Sequence, residues 1–354
     1  MTRKNNKHRP DDPRASARAA RLHHITDRSE GLCRRRRGDG FRYVDAHGRT
    51  IGERHLKRID QLAIPPAWEK VWISSNPSGH LQATGFDARG RKQYLYHSGW
   101  RVVRDETKFH DLIEFARVLP AIRKRVARDL RLRGLSRTKV LAAVVQLLEE
   151  TCIRVGNPEY ARDNQSFGLS TMRNRHVEVR GRQLRFQFRG KSGKMHEVTL
   201  ADKRLARIVK NCQELPGYEL FGYIDDDEKI GVITSGDVND YLREISGQNV
   251  TAKDYRTWAG TVHAAKVLAE LHISNGLQPT NEILLQAIDQ VAKKLGNTRA
   301  VCRESYIHPA IIAAYHEGTL ARRLNGRPRR ASGTGLSTEE KAVVWILKRA
   351  PRQG

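Results

Sequence analysis

The sequence predicts an α+β protein: a small, mostly β N-terminal module, then a larger, mainly helical domain with a three-stranded β insert. Three observations predict it. At 354 residues the chain is too long for one ordinary core, and two domains plus tails is the natural partition. Short strand-like runs separated by Gly, Pro, Asn and Asp fill the stretch from Phe41 to His97. A 3.6-residue apolar period takes over from Leu112, interrupted by alternating segments over residues 176–200.

Taken in order, residues 1–25 are basic and polar and are expected to be a disordered tail. The β-rich domain is placed at 26–100. The run Arg34–Arg37 reads either as a phosphate contact or as a solvated loop. Phe41, Tyr43 and Val44 lead into the turn Asp45–Gly48, and Ile64-Pro65-Pro66-Ala67-Trp68 is a rigid break. Val71–Ser75, Leu81–Thr84 and Lys92–His97 read as strands. Within Gly85–Tyr96, Arg89, Arg91, Lys92, Gln93 and Tyr94 mix cations, an amide and an aromatic ring. Glutamine can read an adenine edge and cations can reach guanine or phosphate, whereas an ordinary exposed hairpin has the same composition.

The helical domain is placed at 101–322 and a basic tail at 323–354. Lys139–Ile153 reads as an amphipathic helix with Arg154 in its last turn and Gly156 as its stop. Val177 and Val179, then Leu184, Phe186 and Phe188, then His196, Val198 and Leu200 alternate as three strands, with Gly181 and Gly190–Gly193 at the turns and Lys191 at the second tip. Asp225–Glu228 reads as a solvated turn rather than a metal site. Ser235 or Asp237 can cap the helix Val238–Ser246. A helix follows Gly260 and runs to about Ile273. Asn281–Leu295 is another, ending at Gly296. Lys341–Arg349 reads as a short terminal helix.

Hydrophobic residues make up 38%, enough for packed cores, and no apolar run reaches membrane-span length. With no signal-peptide segment in residues 1–30, the expectation is a soluble, cytoplasmic protein. Lys plus Arg number 65 against 39 acidic residues, a formal charge of +26. That imbalance points to a polyanionic partner, because cations that neutralise phosphates release counterions. The four cysteines are scattered and lack zinc-ligand spacing, and the histidines form no His-Glu-x-x-His pattern. Gly190-Lys191-Ser192 lacks the upstream glycine of a phosphate loop, since that position is Arg185. Neither a metal nor a nucleotide cofactor is indicated.

The cations Arg154, Lys191, Lys253 and Arg256, with Asn297 and Tyr306, supply the residue types that phosphoryl transfer from DNA to a tyrosine needs. Guanidiniums can clamp the charge that gathers on non-bridging oxygens, and an amide can add a bond. A lysine with lowered pKa can protonate the leaving 5′-oxygen. Nearby positive charge favours the phenolate.

These blocks resemble the type IB DNA topoisomerases in their compact, poxvirus-like bacterial form. The resemblance runs from about residue 40 to 320. Gly85–Tyr96, Ile153–Gly156, Phe188–Lys191, Lys253–Thr257 and Gly296–Tyr306 match in order. It implies the catalytic fold shared by tyrosine recombinases and these topoisomerases, closing as a clamp on double-stranded DNA. It also implies Tyr306 as nucleophile, Arg154, Arg256 and Asn297 as transition-state donors, Lys191 as general acid and Lys253 as a proton-transfer helper. Asn297 stands where relatives usually carry histidine. The implied activity is relaxation of positive and negative supercoils by a monomer without ATP or metal. A tyrosine site-specific recombinase and a non-enzymatic nucleoid protein are the alternatives. Recombinases usually carry His-x-x-Arg where this chain has Lys253-Asp254-Tyr255-Arg256.

Overall fold

A computed structural model describes residues 13–88, 90–274, 278–324 and 335–350. The chain divides into two compact units, Met1–Phe109 and His110–Gly354. The division falls later than the expected position near residue 100, because one helix carries the chain across it.

In the first unit, β1 (Gly31–Arg37), β2 (Gly40–Val44), β3 (Glu69–Ser74), β4 (Leu81–Phe86) and β5 (Lys92–Tyr96) form one antiparallel sheet in the order β2-β1-β3-β4-β5. α1 (Pro13–Ala19) precedes the sheet and α2 (Glu53–Gln61) follows β2. Leu32, Ile59, Ile64, Val71, Ile73 and Ala83 make the core. The tail expected to be disordered to residue 25 is instead helical over α1, with Ala15, Ser16 and Ala17 buried. Beyond it, His80 donates its backbone N–H to the His23 carbonyl at 2.9 Å, pinning the chain to the sheet.

The four-arginine run is a strand, not a loop, and its first member is buried. The Arg34 guanidinium donates to the carbonyls of Ile64 (3.3 Å), Pro65 (2.9 Å), Pro66 (3.4 Å) and Trp68 (2.6 Å). It also lies 4.1 Å from the centroid of the Phe41 ring. Prolines lack an N–H and interrupt the ladder, so the carbonyls around them need another donor. Arg34 supplies it, and only Arg35, Arg36 and Arg37 face outward.

The second unit is mainly helical. α3 (Ser98–Asp129) enters it, and α4 (Arg137–Thr151) runs through its middle with Val140–Val145, Leu147 and Leu148 buried. α4 is therefore buried nearly all round rather than on one stripe, as a helix enclosed by others must be. α5 (Pro158–Asn164) leads to the insert, in which β6 (Val177–Arg180), β7 (Gln183–Arg189) and β8 (Met195–Ala201) form an antiparallel sheet in that order. Leu184, Phe186 and Phe188 point inward, as their alternation predicts. α6 (Lys203–Gln213) follows, then a small hairpin of β9 (Gly222–Ile224) and β10 (Ile230–Val232). Asp225–Glu228 is that hairpin's exposed turn. α7 (Ser235–Ser246) is capped by Thr234, one residue earlier than expected, with Asp237 completing the capping box.

α8 (Ala252–Ser274), α9 (Asn281–Leu295), α10 (Arg299–Ser305), α11 (Pro309–His316) and α12 (Thr319–Leu324) complete this unit, with α13 (Thr338–Arg349) packed on α8, α11 and α12. α8 begins well before Gly260, which lies inside the helix rather than at its start. α13 is the helix expected there, yet it is no loose tail. The Glu340 carboxylate accepts from Arg123 Nη1 (3.0 Å) and Nη2 (2.7 Å), Trp258 Nε1 (3.0 Å) and the Ser337 N–H (2.8 Å). Glu149 holds the other side of Arg123 at 2.6 Å. Removing one carboxylate from a buried ion network leaves charge poorly compensated. Glu340→Ala is expected to cost about 3 kcal/mol, read as a lower denaturation midpoint, with Glu340→Gln losing less.

Candidate active site

α4 ends sooner than the sequence suggests. Cys152 adopts the left-handed conformation (φ 56°) and caps the helix, so Arg154 lies in the loop beyond rather than in the last turn. That loop is clamped from outside. The Arg154 carbonyl accepts from the Leu169 N–H at 2.8 Å, and the Val155 carbonyl from the Ser170 N–H at 2.6 Å. Gly168 makes the approach possible, since a Cβ there would sit 2.4 Å from the Arg154 carbonyl oxygen. Half-buried Arg154 is thus fixed by backbone on both sides.

Arg256 rises from the first turns of α8 and is 5% exposed. Its guanidinium donates to the Cys152 carbonyl at the end of α4 and, at 2.8 Å, to the Leu295 carbonyl at the end of α9. Helix C-termini leave carbonyls unpaired and carry partial negative charge. One guanidinium answers both, and so two helices aim it.

α9 stops at Gly296 in the left-handed conformation (φ 62°), the geometry that favours glycine. Asn297 follows, its N–H bonded to the Ala292 carbonyl at 3.0 Å. Its Oδ1 accepts from Arg154 Nη2, and its carbonyl accepts from Lys194 Nζ at 3.2 Å. Thr298 caps α10, whose far end is Tyr306. The Tyr306 ring centroid lies 5.4 Å from the Arg256 guanidinium carbon.

The structure therefore brings Arg154, Arg256, Asn297 and Tyr306 together. Burial pushes the Tyr306 phenol up, but Arg256 first and Arg154 next outweigh it and hold the phenol below its ordinary value near 10. Burial, and then repulsion by Arg256, lower the Arg154 guanidinium in turn. Arg256 and Asn297 also turn side-chain donors toward the phenol, which lower it further. Lys191 stands exposed on the tip between β7 and β8, and Lys253 is exposed in the first turn of α8.

Three of the N-terminal residues expected to meet DNA also hold partners within their own unit. Arg91 Nη2 pairs with Asp87 at 2.6 Å and Gln93 Nε2 donates to the same carboxylate at 2.8 Å. Lys92 pairs with Asp27 at 2.5 Å. Tyr94 is 48% exposed, and Arg89 lies outside the described residues.

Sequence reading missed the residues that seat the nucleophile. Gly260 has no room for a Cβ, which would fall 2.6 Å from the Tyr306 carbonyl oxygen and 3.0 Å from its Cβ. Thr261 Oγ1 donates to that carbonyl at 3.2 Å and accepts from the His308 N–H at 3.2 Å. A glycine inside a helical pattern is the signal that could have found this, because it costs helix stability and marks a close approach. Gly260→Ala is expected to raise helix propensity by roughly 1 kcal/mol yet slow single-turnover DNA cleavage about 100-fold by shifting the tyrosine. Quenched-flow cleavage beside a melting curve separates the two effects.

Comparison with known proteins gives the family. The family described as "Eukaryotic DNA topoisomerase I, catalytic core" matches residues 97–323, more than half of the chain. "Bacterial DNA topoisomerase IB, N-terminal domain" matches residues 40–87. The chain belongs to the type IB DNA topoisomerases and is an isomerase that acts on DNA. Among its relatives, DNA topoisomerase 1B of Acanthamoeba polyphaga mimivirus is 31% identical over 296 residues, covering 81% of this chain and 88% of the viral protein. DNA topoisomerase 1 of Rabbit fibroma virus (strain Kasza) is 22% identical over 266 residues, 73% of this chain and 79% of that protein. DNA topoisomerase 1B of Vaccinia virus (strain Copenhagen) is 20% identical over 260 residues, with the same coverage. The recombinase and nucleoid-protein alternatives give way to this family.

Proposed function

We propose that this topoisomerase relaxes positive and negative supercoils through a transient 3′-phosphotyrosyl link made by Tyr306. The observation that carries the reading is the convergence of donors from Arg154, Arg256 and Asn297 on one buried phenol, which they hold below its ordinary pKa. Such donors suit an anion whose charge grows in the transition state.

In this reading Tyr306 Oη gives its proton to solvent water and bonds to the scissile phosphorus while the bond from phosphorus to the 5′-oxygen breaks. Arg154, Arg256 and Asn297 stabilise the non-bridging oxygens. Lys191 gives its ammonium proton to the leaving 5′-oxygen, and Lys253 assists that transfer. The bond energy stays in the covalent link, so the free strand can swivel and the 5′-hydroxyl can attack back without ATP or metal. Asn297 does this as a neutral donor, where a histidine would also titrate. We further propose that a monomer closes its two domains as a clamp on duplex DNA, that exposed Tyr94 and its neighbours contact the duplex, and that the enzyme works on the nucleoid.

Trapping the adduct with denaturant and mapping it by mass spectrometry tests nucleophile and reaction together. The DNA remnant is expected on Tyr306, joined to a 3′-phosphate. A remnant on another residue, or plasmid relaxation that fails in EDTA without ATP, would overturn the proposal.

A further inference from the structure

His196, on β8, has no role in the mechanism above, yet its ring fills the gap between the hairpin tip and the end of α9. An added Cβ at Gly190 would sit 2.5 Å from His196 Cδ2, and one at Gly296 would sit 2.0 Å from His196 Cε1. One edge of the imidazole thus lies against the residue before Lys191, and another against the residue before Asn297. Phe188 stacks on the ring with centroids 5.2 Å apart and planes 8° apart. The second tie across this gap is Lys194 Nζ, which donates to the Asn297 carbonyl at 3.2 Å.

We propose that His196 is a positioning residue that seats the β7–β8 tip on the Gly296–Asn297 turn and so delivers Lys191 to the leaving oxygen. The inference rests on the assignment of Lys191 as general acid. Its basis is steric: the tip is short, glycine lines both walls of the gap, and a flat ring fills the space that a Cβ on either side would close. His196 Nε2 is buried without a partner, so packing rather than a hydrogen bond holds the ring. Burial first, then Arg154, Arg256 and Lys194, keep the imidazole below its ordinary pKa. A neutral ring can occupy this cationic corner without repelling the lysine it seats.

The test uses duplex oligonucleotides carrying oxygen or sulfur at the bridging 5′ position of the scissile phosphate, at a cleavage site mapped on plasmid DNA. With sulfur, phosphorus–sulfur cleavage releases a thiolate, which needs no proton at neutral pH. His196→Ala is expected to cleave the oxygen substrate about 10- to 100-fold more slowly, and the sulfur substrate within about 3-fold of wild type. Lys191→Ala is expected to show the same rescue. An equal loss of His196→Ala on both substrates, or no loss on either, overturns the inference. Failure of sulfur to rescue Lys191→Ala overturns the general-acid assignment instead. Gly190→Ala displaces the ring without removing it and should reproduce the substrate contrast even where His196→Ala folds poorly. The Gly190→Ala/His196→Ala double variant should be no slower than His196→Ala alone, and additive losses would count against the shared role.

Discussion

Tyr306→Phe is expected to abolish supercoil relaxation, lowering it by roughly 10⁴-fold or more, and to leave no denaturant-stable adduct with DNA. The substitution removes one oxygen and little else. A phenyl ring still offers its face to Arg256, and the backbone carbonyl at 306 still accepts from Thr261. DNA affinity and melting temperature should therefore change little, and residual relaxation near wild type would remove this residue from the chemistry. The pH profile gives a second check. With the phenol held below 10 by Arg256 and Arg154, wild-type single-turnover cleavage should rise with pH and level off below that value. Weakening either guanidinium should move the rise upward.

Arg256→Ala is expected to cost two losses at once. Cleavage should fall by roughly two to three decades, the usual effect of deleting a preorganised anion donor. Stability should fall by about 2–3 kcal/mol, because the carbonyls of Cys152 and Leu295 lose a charged donor in a buried setting. Arg256→Lys separates the two. It keeps a positive charge near the phenol but cannot reach two helix ends as a planar fork, so it should recover part of the pH profile and little of the stability. Near-wild-type cleavage by Arg256→Ala would remove the residue from the site. Equal stability would show that the carbonyls find other partners.

Much of this was legible in the sequence. Period-2 alternation placed β6, β7 and β8, because one face of each strand is apolar and the other is not. Gly296 marked the end of α9, since a left-handed cap favours glycine. The cluster of Arg154, Arg256, Asn297 and Tyr306 was readable from spacing matched to a known family, although the chain separation between them says nothing of contact by itself. What could not be read depends on tertiary partners. Cys152 ends α4 in a conformation that side chains seldom adopt, and Arg256 binding its carbonyl helps hold it there. Gly260 looked like a helix boundary because its reason for being glycine is the backbone of Tyr306, which lies beyond the whole of α9 in the chain. His196 alternated correctly as an inward residue, but only folding shows that it faces two glycines. Arg34 looked like a surface charge until the proline corner beside it proved to need a donor.

That corner changes how the protein's electrostatics should be pictured. A guanidinium fastened to four carbonyls works as a strut: it cannot swing toward a polyanion, and its charge is spread into the protein's own dipoles. Along this strand the outward-facing charge begins at Arg35. The formal excess of positive residues therefore overstates the mobile cationic surface, and some of that excess is spent holding the β sheet in shape.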